Sequence, residues 1–137
     1  MATIKSYTDI EQSKKLAELL PLESADMIYR PIMDIDSMSN SGFLDTPDCF
    51  PFNDFKNNIN KPLPCWSLSA LLDILESELD GENGTTYQLH LYKAGTWWDI
   101  TYDEIYDEAC PIEVAAGEEL VDVCVEMINE LHKLNMI

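Results

Sequence analysis

The sequence predicts an α+β fold in which three helices pack on one face of a small antiparallel sheet. Apolar residues recur at helical spacing in three separate segments, and two adjacent segments alternate apolar with polar residues as strands do. The elements follow in the order helix, extended segment, helix, hairpin, helix, with the hairpin at about residues 86–102. Helices and antiparallel strands in this order are expected to pack as layers around one core.

The first helix is predicted by the capping-box spacing of Thr8 and Glu11, followed by apolar residues that continue up to Pro21. Residues 27–33 look extended, but Pro31 has no backbone donor, so the sequence predicts an edge strand or an irregular segment there. Residues 34–62 form a long stretch rich in Phe, Asn and Pro, for which we predict an irregular conformation.

Two further helices are predicted by their apolar stripes. Ser67 is a suitable N-cap for the second helix, and the last helix is expected at about residues 118–134. The second stripe consists of Leu68, Leu71, Leu72, Leu75 and Leu79, and the last consists of Leu120, Cys124, Met127, Leu131 and Leu134. Another side of the last helix carries an acidic stripe made of Glu119, Asp122, Glu126 and Glu130.

The hairpin is predicted from two strands, residues 86–92 and 96–102, joined around Ala94 and Gly95. A loop of even length would set Tyr92 opposite Trp97 and His90 opposite Asp99. The side chains then sort into an apolar face of Tyr87, Leu89, Leu91, Trp98, Ile100 and Tyr102 and a polar face of Gln88, His90, Tyr92, Trp97, Asp99 and Thr101. An odd loop would mix the two faces, so the even register is favoured.

Trp97 and Trp98 are adjacent and therefore point to opposite faces of the sheet. A sheet packed on one side can bury only one of them, and Trp98 shares its face with aliphatic residues. Trp97, beside Tyr92 and His90, is either covered by the 34–62 segment or exposed as a contact for a partner. Clusters of exposed aromatic residues tend to mark interaction sites.

The length of 137 residues predicts a single domain, residues 1–137, and 46% hydrophobic residues suffice for a core without disulfides or metal. The sequence shows no secretory signal and no apolar run of about 18 residues, so we expect a cytoplasmic protein. The four cysteines form no C-x-x-C pair, and free thiols are expected.

The charge is acidic and unevenly distributed. The chain has 8 basic and 26 acidic residues, a formal net charge of −18, and between Pro62 and His132 sixteen acidic residues accompany one basic residue, Lys93. Such a field repels nucleic acid phosphates and anionic membranes, and it favours basic partners, divalent cations or solubility alone. We therefore expect no direct binding of nucleic acid or membranes, and a basic protein as the candidate partner.

No catalytic, cofactor-binding or metal-binding signature is predicted. Residues 34–45 are spaced somewhat like a calcium loop, but Met38 and Ser39 occupy the positions that need a ligand and a glycine. His90 opposite Asp99 could form an acid–base pair, but without a nucleophile a surface pair is favoured. A cluster of carboxylates could hold Mg²⁺ or act as acid and base, although a solvated loop is favoured; it comprises Asp99, Asp103, Glu104, Asp107 and Glu108.

Three segments carry a resemblance to a known group of proteins: Ser24-Ala25-Asp26-Met27, Pro64-Cys65-Trp66-Ser67-Leu68 with Leu71-Leu72, and Glu126-Met127-Ile128 through Leu131-His132 and Leu134-Asn135. In these segments the chain resembles uncharacterised small acidic proteins of gut Bacteroidales and of their phages and mobile elements. That group often has Asn-Pro before the last helix, where this chain has Ala116-Gly117-Glu118. The resemblance implies a phage or mobile-element context and transfers no activity or site residue.

These observations lead to the hypothesis of a non-enzymatic accessory or interaction protein that binds a basic protein through its acidic surface. A nucleic-acid-mimicking inhibitor is one concrete form of it. The expected contact residues are Trp97, Tyr92, His90, Glu119, Asp122, Glu126 and Glu130. Two alternatives stay open: a small metal-dependent or hydrolytic enzyme that uses the Asp99–Glu108 carboxylates, and a homo-oligomer that buries either the Trp97 face or the aromatic residues of the 34–62 segment between subunits.

Overall fold

The structure is a computed structural model that describes residues 4–31, 42–44, 46–49, 62–81, 84–105 and 107–137, with the backbone alone for residues 107–113. The predicted irregular segment at 34–62 and the calcium-like loop at 34–45 therefore lie largely outside the described residues. The predicted α+β class is confirmed. The described part of the chain contains three α-helices and seven strands in two antiparallel sheets, rather than the one sheet expected.

The helices and strands have the following bounds. The helices are α1 (Ile10–Leu19), α2 (Leu68–Ile74) and α3 (Leu120–Lys133), and a short 3₁₀ turn covers Leu22–Ser24. The strands are β1 (Met27–Tyr29), β2 (Asp48–Cys49), β3 (Leu63–Cys65), β4 (Glu78–Asp80), β5 (Thr86–Ala94), β6 (Trp97–Glu104) and β7 (Asp107–Gly117). Strand order is β2-β1-β3 in one sheet and β4-β5-β6-β7 in the other.

The chain divides into two compact units, Ser6–Ala70 and a second one formed by Leu71–Ile137 with the N-terminal residues up to Lys5. Compact units of this size also occur within single domains, so the single domain stays a prediction. Among the described residues, no helix is both long enough and apolar enough to cross a membrane.

In the Ser6–Ala70 unit, α1 packs on β3, and β1 is the middle strand of the three-stranded sheet. The edge-strand prediction for residues 27–33 is wrong. The strand ends at Tyr29, two residues before Pro31, so the proline removes no hydrogen bond from the ladder of β1.

The first helix begins one residue later than the predicted capping box. Asp9 is the N-cap: its Oδ1 accepts from the backbone N–H of Gln12 at 2.8 Å, and Gln12 Oε1 accepts from the N–H of Asp9 at 3.1 Å. Thr8 is instead fully buried. Its hydroxyl makes buried hydrogen bonds inside the unit and does not cap the helix, so Asp9 is the N-cap.

Thr8 connects α1 to the strands through a buried hydrogen-bond network. Its Oγ1 accepts from the backbone N–H of Trp66 at 3.1 Å and shares a hydrogen bond of 2.7 Å with Ser13 Oγ. The backbone of Thr8 also donates to Trp66 at 2.9 Å and accepts from the Tyr29 hydroxyl at 2.7 Å. Buried polar groups are stable when all of them are satisfied, as they are here.

The predicted N-cap of α2 is confirmed, because Ser67 Oγ accepts from the N–H of Ala70 at 3.2 Å. The helix is shorter than its leucine stripe suggested. It ends at Ile74, and Leu79 lies in β4, where it pairs with Tyr87 and is 4% exposed. Leu79 is therefore buried in the sheet, where the backbone of β4 gains its partners from β5.

The predicted hairpin is confirmed, but its register differs by two residues. The loop is a two-residue turn at Gly95 and Thr96, and the φ of +63° at Gly95 fits the first position of a type II′ turn. Both strands therefore extend further than predicted. Tyr92 lies opposite Asp99 and His90 opposite Thr101, so the predicted pairs Tyr92–Trp97 and His90–Asp99 are wrong. The loop length remains even, so both predicted faces are correct.

The last helix packs its predicted seam on β6 and β7. Cys124, Met127 and Leu131 are fully buried, as are Ile100 and Tyr102 of β6, whereas Leu134 at the end of the seam is 46% exposed. Strand β7 was not predicted. It pairs with β6 through a ladder that is irregular beside Tyr102 and Asp103.

We predict that Thr8→Val destabilises the protein by about 2 kcal/mol, because it leaves the buried N–H of Trp66 without an acceptor. Urea unfolding followed by circular dichroism measures this change. Thr86→Val is the matched control. Its hydroxyl makes only a 3.5 Å contact with Asp80, and we expect a change within about 0.5 kcal/mol. Equal effects of the two substitutions would contradict the role of Thr8.

Candidate functional site

The four-stranded sheet has a second face, which points away from α3. Because α3 packs on the face of Ile100, Tyr102 and Ala115, the alternation of strand residues directs the other set of side chains outward. We call this set the outer face. Its described members are Glu78, Asp80, Thr86, Gln88, His90, Tyr92, Ala94, Trp97, Asp99, Thr101, Asp103, Val114 and Ala116.

Two large aromatic side chains stand exposed on the outer face. Tyr92 is 55% exposed and Trp97 is 47% exposed. The imidazole of His90 stacks on the Tyr92 ring, with 5.9 Å between centroids and 9° between planes. The structure thus brings together three of the predicted contact residues, and it leaves half of Trp97 open to solvent.

Asp99 lies at the centre of this aromatic region. In the ladder it is opposite Tyr92 on one side and Ala116 on the other, and Trp97 precedes it by two residues on the same face. Trp97 itself is opposite Ala94. The small side chains of the two alanines leave room around Asp99, and its carboxylate forms no hydrogen bond or ion pair within the part of the chain that the structure describes.

His90 has a different carboxylate neighbour from the one that the sequence suggested. Its Nε2 lies 3.8 Å from Oδ2 of Asp103, a residue that is only 8% exposed. The hydroxyl of Thr101 donates to the same oxygen at 2.9 Å. Thr101 therefore hydrogen-bonds a buried carboxylate beside the His90–Tyr92 stack, and the correct hairpin register would have placed these residues together.

The carboxylates at residues 99–108 do not form a solvated loop, so that interpretation is wrong. Asp99, Asp103 and Glu104 lie in β6, and Asp107 and Glu108 begin β7. The side chains of Asp99 and Asp103 share the outer face but are four residues apart, about 13 Å along a strand. One metal ion with ligand distances of about 2.0–2.6 Å cannot bind both. Among the described residues, no three His, Cys, Asp or Glu side chains are placed to hold a metal ion.

The acidic stripe of α3 and the outer face lie on opposite sides of the four-stranded sheet. Lys5 contacts two of its members: its backbone N–H lies 3.3 Å from Glu119 Oε2, and its Nζ lies 2.7 Å from Asp122 Oδ1. Glu130 pairs with Lys133 at 3.0 Å, and Glu126 is exposed. The structure therefore separates the four predicted helix contacts from Trp97, and lysines offset part of their charge.

Two of the cysteines are buried thiols with little nucleophilic character. Cys65 and Cys124 are fully buried; burial raises the pKa of the Cys65 thiol, and it raises the pKa of Cys124 to about 12. Cys49 is exposed. Since the thiolate is the reactive species, neither buried cysteine is a candidate nucleophile at neutral pH.

The outer face thus combines exposed aromatic rings with acidic groups. Glu78, Asp80, Asp99 and Asp103 supply four carboxylates, and the described residues of this face include no lysine or arginine. Comparison of the chain with protein-family models, with curated proteins and with solved structures found no match. A functional proposal therefore depends on the chemistry of this face.

We predict that iodoacetamide at pH 8 modifies Cys49 of the native protein within minutes and leaves Cys65 and Cys124 unmodified for hours. Peptide mapping by mass spectrometry measures the rates, and the same reaction in urea serves as the control for intrinsic reactivity. Labelling of Cys124 at the rate of Cys49 would contradict its burial.

The raised pKa of Cys124 also predicts an alkaline loss of stability. The unfolded chain releases this proton from about pH 9, whereas the folded protein retains it up to about 12. Stability from this group is therefore complete below pH 9 and falls by about 1.4 kcal/mol per pH unit above it. Urea unfolding of wild type and Cys124→Ala between pH 8 and pH 10.5 should show a shallower decline in the variant. Parallel curves would contradict the shifted thiol.

Proposed function

We propose that this chain is a non-enzymatic interaction protein that binds a basic protein partner through the outer face. One observation carries the proposal. The face exposes Tyr92 and Trp97 beside carboxylates such as Asp99, and its described residues include no basic group of lysine or arginine type. An aromatic surface in a negative field is complementary to a positively charged protein surface.

The aromatic residues distinguish this face from an ordinary solvated sheet surface. Tyr and Trp are the residue types that contribute most binding energy when a partner covers them. Here they are neighbours on one face, and the His90 stack restrains the Tyr92 ring before any partner arrives. A restrained side chain loses less conformational entropy on binding.

The acidic stripe of α3 is better suited to attraction at a distance than to direct contact. Glu119 and Asp122 already contact Lys5, and Glu130 contacts Lys133. The field of the remaining charge still extends over about a Debye length and accelerates association with a basic protein. In this proposal the outer face supplies the contacts, and the stripe supplies electrostatic steering.

A second copy of the chain is a poorer occupant of the outer face. A symmetric contact across this face would set the same carboxylates against one another. Like charges at an interface cost several kcal/mol, so charge complementarity favours a basic partner over a homo-oligomer.

The resemblance to small acidic proteins of gut Bacteroidales and of their phages and mobile elements supports a partner in that setting. A basic host protein that normally binds nucleic acid is the concrete form that we propose, with the acidic outer face in place of the nucleic acid phosphates.

The proposal predicts salt-dependent binding of a basic peptide. A fluorescein-labelled nonalysine peptide should bind at about 50 mM NaCl, measured by fluorescence anisotropy, and should weaken by tenfold or more at about 500 mM because screening removes the attraction. A labelled nonaglutamate peptide is the charge control. Absence of nonalysine binding at low salt would contradict the proposed function.

The same assay locates the contact. Trp97→Ser should weaken binding by about tenfold, the effect of removing an aromatic contact residue. Leu134→Ser is the matched control, since Leu134 is 46% exposed and Trp97 is 47% exposed. Equal affinities of the two variants would place binding away from the outer face.

A further inference from the structure

We propose that the outer face recognises the guanidinium group of arginine at Asp99, between the rings of Tyr92 and Trp97. This inference rests on the proposed function and adds the chemical group that the partner presents. It assigns separate roles to three neighbouring side chains: Asp99 binds the charge, and the two rings cover the flat faces of the guanidinium.

The ladder positions imply a shallow recess on the outer face. Asp99 forms its floor and is partly buried, while Tyr92 and Trp97 project more strongly on two sides. Ala94, which lies opposite Trp97, and Ala116, which lies opposite Asp99, carry side chains too small to fill the space beside the rings. The recess is therefore open above the carboxylate.

The ladder positions of the two aromatic residues suit a flat cation. Tyr92 and Trp97 are diagonal neighbours on antiparallel strands, since Tyr92 lies opposite Asp99 and Trp97 is two residues away on the same face. The backbone positions of diagonal neighbours are roughly 7–8 Å apart. A planar group in van der Waals contact with a ring on each side needs about 3.5–4 Å to each ring, so side chains that rise side by side from these two positions can take it between them.

The polar groups of the recess are available to a ligand. Neither the Asp99 carboxylate nor the indole N–H of Trp97 forms a hydrogen bond within the described residues. A carboxylate can accept two parallel hydrogen bonds from a guanidinium. Such a bidentate bond fixes both the position and the plane of the arginine group.

This chemistry favours arginine over lysine. The guanidinium is planar, stacks on aromatic rings and is weakly hydrated, whereas the ammonium of lysine is a compact and strongly hydrated charge. Both residues are attracted by the acidic field, but only arginine can stack on Tyr92 and Trp97 while it bonds Asp99 in bidentate fashion. The inference therefore differs from general basic-protein binding by a measurable preference.

The arginine must come from another protein. Arg30 is the single arginine in the sequence, and its Nε is paired with Asp48 Oδ2 at 2.8 Å. A second copy of this chain therefore has no other arginine to offer. The occupant of the recess is therefore an arginine-containing segment of a basic partner.

The test compares two labelled peptides of equal charge, one alternating glycine with arginine and the other alternating glycine with lysine. Fluorescence anisotropy with the full chain should show the arginine peptide binding at least about fivefold more tightly. Asp99→Asn should weaken the arginine peptide by about tenfold and bring it close to the lysine peptide. Glu126→Gln removes one negative charge from an exposed position on α3 and should change the affinity for either peptide less than about twofold.

The possible outcomes distinguish arginine recognition at Asp99 from the broader proposal that the outer face binds a basic protein. Equal binding of both peptides with strong salt dependence would overturn arginine recognition and leave the proposed function standing. Similar losses in Asp99→Asn and Glu126→Gln would also overturn it, because binding would then follow overall charge. If neither peptide binds the wild-type protein at low salt, both arginine recognition and the proposed function are contradicted. The wild-type comparison of the two peptides requires no variant, so it remains decisive even where a variant folds poorly.

Discussion

The packing of α3 on one face of the four-stranded sheet is the constraint on which the remaining features depend. Ile100 and Tyr102 of β6 are fully buried on the same face as the apolar seam of the helix. Because strand residues alternate, this burial commits Trp97 and Asp99 to the opposite face. A slip of one residue would exchange the faces and bury the Asp99 carboxylate under α3, so the free energy of burying the core also fixes the outer face.

The same alternation separates opposite charges. Lys93 is the single basic residue between Pro62 and His132, and it lies on the helix-packed side of β5, with its Nζ 5.0 Å from the centre of the Trp98 ring. That cation–π contact lies on the helix-packed face of the sheet, which we call the inner face. The carboxylates of the outer face consequently have no lysine or arginine beside them among the described residues, and their attraction for a basic group is not offset locally.

Much of this arrangement could be predicted from the sequence, because alternation within one hairpin is a local pattern. The two faces and the grouping of His90, Tyr92 and Trp97 followed from that pattern. The absolute register did not, since it depends on whether Gly95 begins a two-residue turn, and Ala94-Gly95 and Gly95-Thr96 are both plausible turn pairs. The central position of Asp99 and the contact of His90 with Asp103 depend on that register. Strand β7 has a proline and an irregular ladder, which an edge strand tolerates. Both features disturb the alternation of apolar and polar residues, so the strand could not be predicted from that pattern.

In the Ser6–Ala70 unit, the sequence could not decide which residue caps α1. Thr8 and Asp9 are both good N-cap residues by type, and only the buried contacts with Trp66 and Ser13 decide which one caps α1. Contacts of this kind join residues that are distant in sequence, so local patterns do not contain them. The leucine stripe led to an overestimate of the length of α2 for the same reason. Leu79 is buried because β4 pairs with β5, and not because it lies on the helix.

The three tryptophan side chains provide the most direct test of the account. Trp66 is buried with its indole N–H donating to Ser24 at 2.9 Å, Trp98 lies on the inner face beside Lys93, and Trp97 stands on the outer face. Titration of the ¹⁵N-labelled protein with an arginine–glycine peptide, followed by the three indole N–H signals in NMR, reports on all of them at once. Binding at the outer face should shift the Trp97 signal strongly and change the other two little. An unmoved Trp97 signal in the presence of bound peptide would contradict it.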